Sequence, residues 1–159
     1  MVRVFKTATA LFLIVGLIVE ISVAAQSHPN LSGVWRLDPS ESRMIGGPLG
    51  EITWKINHHE SNIAVTINVN SPQGSHEFAF TCTMDGKECV NKLLNEVRRS
   101  TATWEDNVLV MNTKAETPDG GFEAMDRIRV SDNGQTLVFE RTVKDTNGER
   151  AVKQVFRKL

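Results

Sequence analysis

Apolar and polar residues alternate along most of this chain with a period of two. Ile63, Val65, Ile67 and Val69 interleave with Ala64, Thr66, Asn68 and Asn70. Phe78, Phe80 and Cys82 interleave with Ala79 and Thr81. Leu137, Phe139 and Val143 interleave with Val138, Glu140 and Thr142. Such alternation buries one face of a β-strand and wets the other. Clusters of Gly, Pro, Asn and Asp cut the runs at short intervals. The pattern predicts ten strands, near residues 31–37, 51–57, 62–70, 75–84, 87–91, 97–104, 108–115, 122–131, 136–143 and 149–157. No segment has the period of a long amphipathic helix. Lys92–Val97 and Pro39–Arg43 have room for a single helical turn each.

Turn signals between the runs set an expected register. Asn133-Gly134 suits a type I′ hairpin, which places Val130 opposite Leu137, Ile128 opposite Phe139 and Asp126 opposite Arg141. Asn147-Gly148, treated alike, places Phe139 opposite Phe156, Arg141 opposite Gln154 and Val143 opposite Val152. Asp119-Gly120 places Met111 opposite Ile128 and Thr113 opposite Asp126. Asp106-Asn107 places Leu109 by Trp104, Met111 by Ala102 and Thr113 by Ser100. These registers align Ser100, Thr113, Asp126, Arg141 and Gln154 as a polar row on an otherwise apolar face. A slip of two residues breaks the row but keeps each strand's face.

Many meandering strands that share one apolar face bury it by curling into a barrel, which also removes exposed edges. The fold class is therefore all-β: a single antiparallel up-and-down β-barrel of about ten strands. A flattened sandwich is the alternative. Closure requires Leu31–Leu37 to meet the last strand, with Gly33 allowing close backbone approach and Trp35 plugging one end of the interior.

Residues 1–25 have the features of a secretory signal peptide: Arg3 and Lys6, the apolar stretch Leu11–Val19, and small residues Val23, Ala24 and Ala25 before the cut. The expected mature chain, residues 26–159, suits one domain. Loss of the leader removes Arg3, Lys6 and Glu20 and turns the formal charge from −1 to −2. That balance argues against nucleic acid, and no later run is long enough for a transmembrane helix. Export to the periplasm or outside the cell permits a disulfide. An Asp85-Gly86 turn places Cys82 directly opposite Cys89, within disulfide reach.

The opening Gly33-Val34-Trp35-Arg36-Leu37 and the closing Val155-Phe156-Arg157-Lys158 resemble the first and last strands of the calycin superfamily. There a basic residue commonly packs near the Trp. Strand count and meander order over residues 31–159 are similar to the ten-stranded lipid-binding barrels and to exported bacterial lipocalin-like domains. The resemblance implies a calycin or lipocalin-like barrel and small-ligand or lipid binding. Two departures stand out. The interval Asp38–Gly50 is too short and too rich in Gly and Pro for the helical pair that lids the intracellular members. Their carboxylate-binding Arg-x-Tyr on the last strand is here Gln154-Val155-Phe156, which leaves Arg141 on the neighbouring strand as the available cation.

Two functions fit. In the first, an exported protein holds a small, partly apolar ligand inside the barrel. Arg141 and Gln154 grip its polar end with Asp126, Thr113 and Ser100 completing the network, and Trp54, Phe78, Phe80, Met111, Ile128 and Phe139 clasp the tail. In the second, a non-enzymatic interaction or inhibitor protein of the cell envelope uses its rim loops, and the polar row only fixes register. No nucleophile motif, phosphate loop or interior His points to an enzyme. Gly46–Gly50 lacks the Lys of a phosphate cradle, and Met44-Ile45 is an apolar candidate for a rim cover. His58-His59-Glu60 reads as a solvated turn, since zinc needs further ligands that His28 and His76 do not complete. No cofactor or metal is expected. The intact mass of the protein recovered from its host is expected to match residues 26–159; a mass retaining Met1 overturns the leader.

Overall fold

The computed structural model describes residues 28–44, 50–93, 95–118, 120–131 and 133–159. The expected leader lies outside the described residues, as do Ile45 of the candidate rim cover and Asp119 of the candidate turn. Ten strands follow one another: β1 Gly33–Leu37, β2 Glu51–His59, β3 Asn62–Ser71, β4 Gly74–Thr83, β5 Glu88–Leu93, β6 Glu96–Glu105, β7 Val108–Glu116, β8 Phe122–Val130, β9 Thr136–Asp145 and β10 Gly148–Lys158. They form one antiparallel sheet in the order β4-β3-β2-β1-β10-β9-β8-β7-β6-β5. The sheet curls into a nearly closed barrel, not a sandwich. Strand β5 runs to Leu93 and β6 resumes at Glu96, so the described residues of Lys92–Val97 are strand apart from a turn at Asn95, and none is helical. Pro39-Ser40 forms only a turn, and the described part of Asp38–Gly50 holds no helix.

Closure is made by β1 on β10, with Trp35 opposite Lys158 and Leu37 opposite Phe156. Trp35 is fully buried and its Nε1–H donates to Leu31 O at 3.0 Å. Lys158 Nζ lies 5.1 Å above the Trp35 ring, a cation–π contact. A Cβ on Gly33 would sit 2.8 Å from Lys158 Cε, so a side chain there would push Lys158 off the ring. Beyond Leu37 the chain keeps covering β10. Val155 N–H donates to Ser42 Oγ at 2.9 Å, and Arg43 then pairs with Lys153 through both backbone bonds, at 2.7 and 3.0 Å. The opposite end of the interior is sealed by the segment before β1. Leu31 is fully buried, its N–H donates to His58 Nδ1 at 3.2 Å, and His28 stacks on Trp104 with ring centroids 4.6 Å apart.

Two of the four register expectations hold on both faces. Asp126 faces Arg141 and Ile128 faces Phe139; Ser100 faces Thr113 and Ala102 faces Met111. The other two slip by two residues. Across β9–β10, Arg141 faces Val152 and Gln154 faces Phe139. There the two-residue loop is Thr146-Asn147, held by Asn147 N–H donating to Asp145 Oδ1 at 2.7 Å, and Gly148 already belongs to β10. Across β7–β8, Met111 faces Asp126 and Thr113 faces Ala124. Here Gly121, at φ 88°, opens the strand where a Cβ would meet Ala115 O at 2.1 Å. Its N–H donates to Thr117 Oγ1 at 3.1 Å. The straight polar row thus becomes two pairs and a separate Gln154, stepped along the barrel, while every strand keeps its inward face.

Strands β4 and β5 do not pair, although the hairpin register expected them to. They bound the barrel's seam. The Cys82–Cys89 disulfide crosses it, with Cα atoms 5.3 Å apart. Above the bridge, Asn91 Nδ2 donates to Thr81 O at 2.9 Å while Thr81 N–H donates to Asn91 Oδ1 at 3.0 Å. One side-chain amide thereby stands in for a missing pair of ladder bonds. Replacing both cysteines by Ser is expected to cost about 2–3 kcal/mol in urea unfolding, the chain-entropy value for so short a loop; an unchanged midpoint overturns the clasp.

Candidate functional site

The interior divides into a packed part and a hollow part. Toward the end sealed by Leu31, the fully buried Trp35, Ile63, Val65, Leu109, Leu137 and Phe156 fill the barrel. Toward the β1–β2 connection lies a cavity of about 260 Å³. Its apolar wall includes the expected Trp54, Phe78, Phe80, Met111, Ile128 and Phe139, brought together from five strands. Its polar wall is Arg98, Asp126, Arg141 and Gln154. A small annex of about 30 Å³ continues to Ser100 and Thr113.

These polar groups are arranged as pairs. Ser100 Oγ and Thr113 Oγ1 are 2.8 Å apart and share one hydrogen bond. Arg141 donates through Nε and Nη2 to the two oxygens of Asp126, at 2.6 and 2.7 Å. Such a two-point ion pair is geometrically specific as well as strong. Asp126 is buried, whereas the Arg141 side chain keeps 28% of its surface exposed; the guanidinium therefore reaches the cavity. Burial, the largest influence on Arg141, works against its charge. The hydrogen bonds and charge of Asp126, joined by the charge of Glu96, outweigh it and raise the guanidinium above its ordinary pKa. Arg141 also lies 5.2 Å above the Phe139 ring.

Sequence reasoning did not single out Arg98. It donates through Nε and Nη2 to Glu96 Oε2, at 2.8 and 2.6 Å, and lies 5.4 Å over the Phe122 ring. The signal was available: Arg98 precedes Ser100 by two residues and shares its face. Its neighbour Arg99 points outward to Glu88 and Glu116, and the doublet masks the alternation. Leu93, Ile52, Ile67, Val69 and Val152 complete the lining.

A larger hollow, about 520 Å³, lies on the outside of β5–β9. Its rim is made of exposed ion pairs such as Lys114–Glu123 at 3.0 Å, which are solvated and worth little. The interior cavity is the candidate site. Among the described residues, no group of three or more His, Cys, Asp or Glu side chains is placed to hold a metal. His58 and His59 close β2 and Glu60 takes the turn at φ 54°.

No protein-family profile matches this sequence, and no curated protein matches it. Solved structures do. Human cRBP IV superposes with a TM-score of 0.57 at 19% identity, covering 82% of this chain and 99% of that one. The zebrafish ileal bile acid-binding protein complexed with cholic acid gives 0.58 at 15% identity, covering 80% and 98%. A secretory abundant heat soluble protein from Ramazzottius varieornatus gives 0.60 at 15%, covering 86% and 100%. These likenesses show the fold alone, a ten-stranded antiparallel up-and-down barrel.

The Asp126–Arg141 pair has a testable energetic signature. Removing one member of a buried pair strands the other charge, whereas replacing both by apolar groups removes the penalty with the pair. Asp126→Leu alone is expected to destabilise by about 3 kcal/mol. The double change Asp126→Leu with Arg141→Met is expected to recover most of it in urea unfolding. Equal losses in both variants overturn the pairing energetics.

Proposed function

We propose that this protein is an exported binding protein that holds a small, partly apolar ligand inside the barrel. The observation that carries this reading is the hollow itself. A chain that packs Trp35, Leu109 and Phe156 to full burial leaves about 260 Å³ open a few residues away. The opening is lined by aromatic and aliphatic side chains with a few convergent polar groups, which is how small-molecule sites are built.

In this reading Trp54, Phe78, Phe80, Met111, Ile128 and Phe139 clasp the apolar part. Arg141 and Gln154 meet the polar end, with Arg98 beside them and Asp126, Thr113 and Ser100 behind. The zebrafish neighbour supports the assignment, since its structure holds cholic acid. Export is supported by the leader-like residues 1–25 and by the Cys82–Cys89 bridge, a bond that persists in oxidising compartments. No catalytic step is assigned. A rim-binding inhibitor would favour a filled interior, and the hollow weighs against it.

Native mass spectrometry of the protein purified from its own host tests the reading. A non-covalent adduct of small-molecule mass, displaced by a polarity-sensitive fluorescent probe, is expected. A clean ligand-free mass together with no probe uptake overturns it.

A further inference from the structure

We infer that the cavity takes an uncharged head group, a hydroxyl or an amide, in preference to a carboxylate. This rests on the binding reading above and sharpens it. Arg141 and Arg98 are the two cations of the lining, and each is already engaged. Asp126, 3% exposed, holds Arg141 at two points, and Glu96 holds Arg98 through Nε and Nη2. The four side chains sum to zero charge. Every other lining side chain is apolar except Gln154.

A carboxylate entering this site gives up water and meets no net positive charge in return, the situation that makes ion burial unfavourable. An uncharged head needs only hydrogen-bonding partners, and these remain. Among the described residues the Gln154 amide makes no side-chain hydrogen bond, so it offers both a carbonyl acceptor and an NH₂ donor. The Nη1 groups of Arg98 and Arg141 also have no hydrogen-bonding partner within the cavity wall, and they supply donors to a lone pair. The set matches a group that both donates and accepts. Glu96 is the hinge of the inference: it completes the neutral quartet, and its side chain is 30% exposed, so it is the one carboxylate an anionic ligand would displace.

The test compares 1-octanol with octanoate at pH 8 by calorimetric titration of the unaltered protein and of Glu96→Gln. Octanol is expected to bind at least about tenfold tighter than octanoate, a difference of about 1.4 kcal/mol. Because greasy transfer alone favours the alcohol, the variant is decisive. Glu96→Gln gives the quartet a net positive charge, and the octanoate-to-octanol affinity ratio is expected to rise about tenfold. Tighter octanoate binding to the unaltered protein, or a ratio that Glu96→Gln leaves unmoved, overturns this inference while the binding reading stands. No uptake of either compound or of the fluorescent probe overturns both.

Discussion

The barrel depends on a five-residue strand reaching its last neighbour. β1 pairs with β2 on one side and β10 on the other, so without it two long strands become open edges. What holds it is Trp35, whose indole is entirely buried, whose N–H is satisfied by Leu31 O and whose face is capped by Lys158. A large aromatic with its polar atom bonded combines a large apolar burial with no unsatisfied donor. The chain then needs no helix over β10, because Ser42 and Arg43 continue the coverage after the turn at Pro39-Ser40.

Closure at β1–β10 displaces the discontinuity to β4–β5. A sheet of this length leaves two edges facing each other, and exposed edges invite pairing with other chains. Here the seam is tied covalently by Cys82–Cys89 and by the Asn91 amide on Thr81. The stretch Gly74–Ala79 of β4, which carries Phe78 of the cavity wall, extends past these ties. Among the described residues, the seam is thus tied by Cys82–Cys89 and Asn91 and carries no further tie beside the hollow.

The polar groups inside are tolerable because they come in pairs. Ser100 satisfies Thr113, Asp126 satisfies Arg141, and Glu96 satisfies Arg98. Pairing of this kind adds little net stability over apolar packing. Each guanidinium stays partly exposed and lies on a ring, Phe139 for Arg141 and Phe122 for Arg98. The cations are therefore both neutralised and fixed in direction.

The alternation of Ile63, Val65, Ile67 and Val69 and its counterparts determined the strands and their inward faces, since a period of two admits no other solution. It also placed Trp54, Phe78, Phe80, Met111, Ile128 and Phe139 inside together, and the spacing of Cys82 and Cys89 left them within bridging reach, although β4 and β5 form no ladder. Local turn chemistry could not decide two of the registers. The observed registers carry the Gly121 N–H to Thr117 and the Asn147 N–H to Asp145 instead of the expected turns, contacts that the Asp-Gly and Asn-Gly pairs do not announce. The hollow, too, belongs to the tertiary structure alone. Whether inward side chains meet across a barrel depends on its curvature and on which end Leu31 seals, and neither quantity is written in the spacing of residues.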